Sequence, residues 1–258
     1  VPEMVSESLS SLLAGVIITI VFLIFRALFA VTPYGNATDC IYTIIQTPLQ
    51  SLTGNLPAFI IIILIAQLLW FFGIHGSMTV LPILFPIWLS YIGDNTAAMA
   101  AGKTIPHVLN IGLWDLANLG GSGATIGLVI LMFFKAKSNQ YKSFGKLTLP
   151  CGIFSVNEPV IFGLPVILNP IMLIPFIICP IVLVCLGYAL IQFGIVTAPI
   201  GILGLGSMPP LISGIMQGSL SWGIYQLVAV VISIIIYYPF FKTIDNQALA
   251  KEKGEQGE

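Results

Sequence analysis

The sequence predicts an all-α integral membrane protein. Of its 258 residues, 57% are hydrophobic and only 7% are charged, and the mean hydropathy is +1.04. Soluble domains carry about 25% charged residues, so this chain has too few charges to cover a water-facing surface and must be solvated by lipid. Several of its long apolar segments contain prolines, which predicts bent transmembrane helices. The net charge of −1 offers no basic surface for nucleic acid, and no nucleic-acid partner is expected.

The N-terminal part contains one predicted span. Residues 12 to 30 form a nearly unbroken apolar run, and Arg26 near its end would extend its charged group towards the membrane surface. Residues 41 to 55 mix polar and apolar positions, which is typical of an amphipathic helix at the interface. The chain begins at Val1 without an initiator methionine or a signal peptide, which indicates a piece of a longer protein.

The next part contains a clear span and two less regular segments. Residues 56 to 72 are continuously apolar and end in the motif FGIHG. Residues 79 to 92 are apolar but carry Pro82 and Pro86, so a short or kinked helix is expected, followed by a polar stretch. Residues 111 to 134 begin with a glycine-rich polar section and end as an apolar helix.

The positions of the lysines predict which ends of these spans face the cytoplasm. Residues 135 to 146 contain four lysines, and by the positive-inside rule this loop is cytoplasmic. The last predicted span, residues 222 to 241, is preceded by another span at 171 to 193, so residues 242 to 258 should return to the cytoplasm as a disordered tail. The chain is therefore expected to cross its membrane several times.

Two segments are too rich in proline or glycine for straight helices. Residues 147 to 170 read LTLPCGIFSVNEPVIFGLPVILNP and contain four prolines in an apolar context. Such backbone must be buried in protein or line a wet cavity. This segment and residues 197 to 218 are predicted to be re-entrant hairpins.

Glu158 is the strongest candidate for a functional residue. It is the only acidic residue between Asp115 and Asp245, and a charge at membrane depth costs about 2.5–3.5 kcal/mol. The following proline favours the first position of a helix, so Asn157 and Glu158 should stand at the start of a short helix from Pro159. Broken helices in transporters present polar groups to substrates in this way. The alternative is a carboxylate that caps a helix or pairs with a buried cation.

His75 is the second candidate, because it lies between Gly73 and Gly76 at the end of a span. Glycines permit close backbone approach to a ligand, and a neutral imidazole can accept a hydroxyl proton. The alternative is an interfacial histidine without a role. His107 is expected in a solvated loop, and Asp115 is expected to make a structural hydrogen bond.

The GGSG run at residues 120 to 123 is not a nucleotide loop, because it lacks the strand and the lysine of a P-loop. It either permits tight helix packing or exposes backbone amides. The cysteines match no metal-site spacing, so no metal or cofactor is expected: Cys40, Cys151, Cys179 and Cys185.

These motifs resemble the IIC membrane component of the bacterial phosphoenolpyruvate-dependent sugar phosphotransferase system, lactose/cellobiose type, in its C-terminal part. The resemblance runs from about residue 56 onward and rests on FGIHG (72–76), GGSGATIG (120–127), FGKL (144–147) and NEPVIFGLPVILNP (157–170), with PFIICP (175–180) and MPPLISG (208–214) in agreement. The NEPVIFGLP motif is the most specific. Two positions depart from the family: Ser155 stands where FNxNEP is frequent, and residues 203–210 read LGLGSMPP without a family tryptophan.

The resemblance implies a homodimer with a scaffold domain and a transport domain that contains two re-entrant hairpins. Residues 1–40 would be the last part of the scaffold, with one transmembrane helix, and 41–55 an amphipathic linker helix. Residues 56–241 would form the sugar-binding transport domain, and 242–258 the cytoplasmic tail. The missing scaffold spans would fit a C-terminal fragment or a truncated gene product.

The resemblance also implies a function. The permease would bind a disaccharide or β-glucoside such as cellobiose, lactose or diacetylchitobiose and present its 6-hydroxyl to phosphorylated IIB, which is charged through enzyme I, HPr and IIA. His75 and Glu158 would be catalytic and substrate-binding, and Asn157, Gly120, Gly121 and Ser122 would bind substrate. Aromatic candidates for stacking on the sugar, each also consistent with packing, are Trp70, Trp88, Trp114 and Trp222. Two alternatives stay open: an ion-coupled secondary sugar transporter that uses Glu158, although no inverted repeat is evident, and an inactive truncated fragment.

Overall fold

The computed structural model describes residues 3–41, 43–44, 54–164 and 168–255. Within these ranges the chain is all-helical and contains no β-strand, so the predicted fold class is confirmed. The chain divides into two compact units, residues 1–51 and residues 52–258. The predicted amphipathic helix at 41–55 falls almost entirely outside the described residues.

The first unit contains two helices, α1 (Glu3–Ala30) and the short α2 (Ala37–Ile41). From Leu12 to Ala30, helix α1 has a mean hydropathy of 2.7 and is apolar enough to cross a membrane. None of that span is buried within the protein. An apolar helix whose side chains are this exposed is suited to lipid contact.

The second unit holds the remaining elements. In chain order these are α3 (Leu56–Phe71), α4 (Gly76–Ala100), α5 (Ile111–Ala117), α6 (Ile126–Lys135), α7 (Asn139–Ile153), α8 (Glu158–Gly163), α9 (Pro170–Gln192), a 3-10 turn (Leu205–Ser207), α10 (Ile212–Met216) and α11 (Leu220–Glu255). Three of them are long and apolar enough to span a bilayer: Gly76–Ala100, Pro170–Gln192 and Leu220–Gly254.

Proline and asparagine define where helices α3 and α9 begin. The Asn55 side chain accepts a hydrogen bond from the backbone N–H of Ala58 at 2.9 Å. The Asn169 side chain likewise accepts a hydrogen bond from the backbone N–H of Ile171, at 3.0 Å. In both helices a proline stands in the first turn, where its missing N–H costs nothing.

Helix α4 is longer than the sequence predicts. It continues through Pro82 and Pro86 and extends to Ala100, into the stretch described above as polar. Each proline removes one backbone hydrogen bond, and neighbouring helices and local adjustment make this tolerable in an apolar surrounding. The expectation of a short segment here is therefore wrong.

The C-terminal segment also differs from expectation, because residues 242–255 continue helix α11 instead of forming a disordered tail. The helix is fixed there by contacts with the lysine-bearing loop. Asp245 accepts a hydrogen bond from the backbone N–H of Lys137 at 2.8 Å, and Glu252 accepts one from the N–H of Asn139 at 3.0 Å. Charge composition alone contains no sign of these long-range contacts.

The two irregular segments consist of short helices and turns. Residues 147–170 contain the end of α7, a turn in which Ser155 has φ +58°, helix α8 and, beyond the undescribed residues 165–167, the start of α9. Residues 197–218 include extended backbone, the 3-10 turn and α10. Broken, non-straight backbone is present as predicted, and the re-entrant path through a membrane stays a prediction.

Helix α11 fixes the glycine-rich turn that precedes α6. The Ser233 hydroxyl donates to the carbonyl of Ala124 at 2.7 Å and accepts from the N–H of Gly127 at 3.0 Å. The Tyr237 hydroxyl donates to the carbonyl of Gly123 at 2.7 Å. A side chain on Gly127 would overlap the backbone of Ser233. Within the GGSG run, an added Cβ on Gly123 would overlap the ring of Phe176 on α9, so the run does permit the tight packing that was one of its two interpretations.

Candidate functional site

His75 stands at the junction between α3 and α4. The chain turns at Gly73, where φ is +80°, and His75 becomes the N-cap of α4. Its Nδ1 atom accepts a hydrogen bond from the backbone N–H of Met78 at 3.1 Å. The next residue, Gly76, packs so closely that an added Cβ would overlap the carbonyl oxygen of Ala66. The glycines around His75 thus serve a tight helix–helix approach.

Glu158 faces His75 from a different element. It occupies the first turn of α8, and its Oε1 atom lies 3.7 Å from Nε2 of His75. Their side chains are 49% and 36% exposed respectively, so both remain accessible to a ligand. Because Nδ1 of neutral His75 accepts a hydrogen bond, the ring proton is on Nε2 and is directed at the carboxylate. The distance exceeds that of a direct hydrogen bond.

Asn157 is buried beneath this pair and ties α8 to the glycine-rich turn. Its Nδ2 donates to the carbonyl of Ser122 at 2.7 Å and lies 3.0 Å from Oγ1 of Thr125. Gly121, at φ +99°, has no room for a Cβ because the Asn157 side chain occupies that space. Asn157 therefore positions Glu158 relative to the turn, instead of capping α8 with its side chain.

Trp70 forms the wall next to His75. Its ring centroid lies 4.2 Å from that of His75, and its indole N–H donates to the Ser122 hydroxyl at 2.9 Å. Ser77 approaches the same hydroxyl at 3.1 Å. The ring of Phe162, on α8, meets the Trp70 ring edge to face, with 6.3 Å between the ring centroids. Trp70 is itself only 1% exposed, so it fixes the His75 ring in place from within the core.

These groups surround a cavity of about 300 Å³. Its lining combines the polar pair with aromatic, hydroxyl, amide and glycine positions from four separate stretches of chain: Trp70, His75, Ser77, Met78, Trp114, Asp115, Asn118, Gly121, Ser122, Ser155, Val156, Asn157, Glu158, Gly204, Gly206 and Ser207. The cavity falls within the range of small-molecule sites, which measure about 300–1,000 Å³.

Asp115 lines the cavity in a way that the sequence did not indicate. Its residue is partly exposed, but Oδ2 is enclosed and has no hydrogen-bond partner among the described residues. Gly206 approaches so closely that an added Cβ would overlap the carboxylate. The expected structural hydrogen bond is therefore missing from Oδ2, and the enclosure of this atom also keeps it out of reach of a ligand in the cavity.

Other predicted residues lie elsewhere. Gly120 does not line the cavity, and its N–H donates to the Ser155 hydroxyl at 3.2 Å. Trp88 and Trp222 are fully buried away from it. His107 is not simply solvated, because its Nε2 lies 2.9 Å from Oδ2 of Asp94 and its ring stacks on Tyr91 at 4.0 Å.

Broken helices that meet at a polar cavity beside long apolar spans are an arrangement typical of membrane transporters. The chain matches the family described as "Phosphotransferase system, EIIC" over residues 1–180. It therefore belongs to the EIIC family of the phosphotransferase system, whose members are membrane permeases.

Individual relatives agree with the family assignment. The chain is 38% identical to the lichenan permease IIC component of Bacillus subtilis (strain 168) over 257 residues, which is 98% of this chain and 56% of that protein. It is 36% identical to the lactose-specific EIICB component of Lacticaseibacillus casei over 199 residues, which is 72% of this chain and 33% of that protein.

A solved structure is similar along almost the whole chain. It is the crystal structure of the transporter ChbC, the IIC component from the N,N'-diacetylchitobiose-specific phosphotransferase system. The TM-score is 0.80 with 38% identity, over 98% of this chain and 60% of that one. The chain thus spans between a third and three-fifths of the length of these relatives.

Proposed function

We propose that this chain carries the sugar site of a phosphotransferase-system permease, which binds a disaccharide or β-glucoside, translocates it and presents its 6-hydroxyl for phosphorylation by phospho-IIB. The observation that supports this most is the facing pair of His75 and Glu158 at one cavity, contributed by two helix starts far apart in sequence. An oxygen atom between them could lie within hydrogen-bonding distance of both.

The two side chains would have complementary roles towards that oxygen. Nε2–H of His75 would donate a hydrogen bond to a sugar hydroxyl, because Nδ1 is already engaged by Met78. The Glu158 carboxylate would accept one, and charge-assisted bonds of this kind are about twice as strong as neutral ones. This assigns the role of proton acceptor to Glu158 and not to His75.

Phosphoryl transfer then requires little rearrangement of these groups. The P–S bond of a phosphocysteine on IIB breaks, a P–O bond forms to the sugar 6-oxygen, and the hydroxyl proton moves to Glu158. A positioned general base raises the reaction rate about 10²- to 10⁴-fold. His75 would hold the oxygen in place through this step.

The walls of the cavity differ in what they offer to the rest of a sugar. The Trp70 ring is only 1% exposed, so it supports His75 from behind, held by its bond to Ser122, and leaves sugar contact to the polar groups. Asp115 also lines the cavity, beside Gly206, but its Oδ2 is enclosed and would not reach the sugar. Gly206 lies in the segment where the family tryptophan is missing, so the second sugar ring would not meet an indole there.

The printed names of the relatives support the proposed substrate class and partner. One is named for lichenan, one for lactose and one for N,N'-diacetylchitobiose, so carbohydrates are the common theme. The lactose-specific relative is named EIICB, which fits IIB as the partner domain.

We further propose that the permease is a homodimer and that its phosphoryl group comes through enzyme I, HPr and IIA. We also propose that residues 135–146 and the C-terminus are cytoplasmic, because lysines are enriched in cytoplasmic loops.

Replacing Glu158 by Gln tests this function. The change keeps the shape and removes the charge, so the Kd for cellobiose, lactose or diacetylchitobiose should rise about 10- to 100-fold, since a charged hydrogen bond contributes about 1.5–3 kcal/mol. Equilibrium binding of radiolabelled sugars to the purified chain measures it. Glu252→Gln, which alters a carboxylate bound to Asn139 and Gln140 far from the cavity, is the matched control.

Two results would count against the proposal. Unchanged sugar binding in Glu158→Gln would remove the carboxylate from the site. Proton- or sodium-driven uptake without sugar phosphorylation would instead favour the secondary-transporter alternative, which family membership does not support.

A further inference from the structure

A second cavity lies at the lysine-bearing end of the second unit. It measures about 120 Å³ and is formed between the end of α6, the following loop and α11. Three lysines border it, Lys135, Lys137 and Lys242, together with Tyr238 and Asp245. None of these residues lines the cavity at His75 and Glu158, so this is a separate site.

The surrounding surface changes from apolar to charged at this level on two packed helices. On α6, Phe134 is 69% exposed and Lys135 ends the helix. On α11, Ile235 is 65% exposed and Tyr238 is 47% exposed, one turn before Lys242. Exposed apolar side chains followed by aromatic residues and then lysines are typical of the boundary between acyl chains and headgroups.

The three lysines at this site outnumber the one carboxylate that lines it, Asp245, so the site keeps a net positive charge. Asp245 is buried and its two oxygens accept three hydrogen bonds, from the Lys137 N–H at 2.8 Å, the Ser138 N–H at 3.0 Å and the Ser138 hydroxyl at 2.7 Å. No ammonium group of the three lysines forms an ion pair with a carboxylate of residues 3–41, 54–164 or 168–255.

The hydrogen bonds to Asp245 also fix the backbone that carries these lysines. Ser138 is buried and begins α7 by accepting the N–H of Tyr141 at 3.3 Å. Glu252 adds a second attachment through Asn139 and Gln140. The three ammonium groups are therefore presented on a braced scaffold beside a concave surface, which lowers the entropy cost of binding an anion.

We propose that this cavity binds the phosphate group of an anionic phospholipid, such as phosphatidylglycerol or cardiolipin. The phosphate would be contacted by Lys135, Lys137 and Lys242, and the adjoining acyl chain would pass over Tyr238 and Phe134. Basic pockets between helices at this membrane surface are suited to such headgroups. A soluble phosphate would gain nothing from the exposed aromatic side chains, and so the lipid is favoured.

Native mass spectrometry of the whole chain in a zwitterionic detergent tests the proposal. Wild-type protein should retain phosphatidylglycerol in preference to phosphatidylcholine. The variant K135Q/K137Q/K242Q should bind phosphatidylglycerol about 10- to 100-fold more weakly, as expected for three lysines at an anionic surface. The control K103Q/K251Q/K253Q removes the same number of charges from lysines that do not line the cavity, two of them at the same end of the second unit, and should change affinity less than about threefold. Sugar binding should be equal in all three proteins, so this test is independent of the proposed function.

Three outcomes would overturn the proposal. Equal loss of phosphatidylglycerol in both triple variants would mean that only net charge attracts the lipid. Full displacement of the lipid by millimolar inorganic phosphate would identify a soluble anion as the ligand. Unchanged lipid affinity in K135Q/K137Q/K242Q, with slower sugar phosphorylation by phospho-IIB, would identify a protein docking surface instead.

Discussion

His75 shows how one side chain divides two roles between its ring nitrogens. Nδ1 accepts the N–H of Met78 and so satisfies the start of α4. Nε2 points towards Glu158 at 3.7 Å. The sequence indicated His75 through the glycines on either side of it, but it contained no sign that Nδ1 is occupied. In the proposed mechanism, this occupation gives the role of base to Glu158 instead of His75.

The two roles of His75 can be separated by substitution. Asparagine is among the best N-cap residues, so His75→Asn should keep α4 capped while it removes the Nε2–H donor. We expect an unfolding free energy within about 0.5 kcal/mol of wild type and a Kd for cellobiose roughly 10-fold higher. His75→Ala should lose the same affinity and about 1 kcal/mol of stability in addition.

Thermal unfolding in detergent and equilibrium sugar binding measure the two effects. Wild-type affinity in His75→Asn would show that Nε2 does not contact the sugar. Equal stability of the Asn and Ala variants would show that the cap is unimportant.

At the scale of elements, the glycine-rich turn before α6 is the part that joins the site together. Helix α11 holds it from one side through Ser233 and Tyr237. On the other side, Asn157 donates to the Ser122 carbonyl and fills the space beside Gly121. Glu158 follows directly, so a shift of this turn would move the carboxylate.

Two glycine substitutions separate packing at this turn from backbone strain. Both Gly121 and Gly102 have positive φ, at +99° and +65°, but a Cβ at Gly102 meets open space. Gly102→Ala should therefore cost only about 1–2 kcal/mol of strain. Gly121→Ala should cost more, because Asn157 must move, and should weaken sugar binding at least about 10-fold.

Melting temperatures and cellobiose binding of both variants provide the comparison. If the two variants lost equal stability and both bound sugar normally, the contact between Gly121 and Asn157 would not support the site.

Some elements follow from the sequence and others do not. The spans at 171–193 and 222–241 were predictable because their apolar runs exceed the thickness of a bilayer, and α9 and α11 contain them. Helix α4 was not, because local proline rules do not include the surrounding helices that make Pro82 and Pro86 tolerable.

At the scale of the whole molecule, the site depends on contacts between distant parts of the chain. His75 and Glu158 could each be recognised from unusual neighbours, but their separation of 3.7 Å arises only when α3, α4 and α8 pack around the glycine-rich turn. The structural hydrogen bond expected of Asp115 is missing from Oδ2 for the same reason, because its close packing against Gly206 is a long-range contact. Fold class was predictable from composition, whereas the shape of the cavity was not.

The second unit also contains a larger cavity that competes as a sugar site. It measures about 540 Å³ and is lined by residues such as Lys103, Thr197 and Gln192, without either His75 or Glu158. Size alone would favour this cavity. The paired donor and acceptor, His75 and Glu158, favour the smaller cavity, because specific sugar recognition needs placed polar groups.

A cryo-electron microscopy structure of the chain with bound cellobiose tests this choice most directly. We predict density for the sugar in the cavity of about 300 Å³, with one primary hydroxyl within hydrogen-bonding distance of both Nε2 of His75 and Oε1 of Glu158. Density for the sugar beside Lys103 and Thr197, with the space between His75 and Glu158 empty of ligand, would contradict the account.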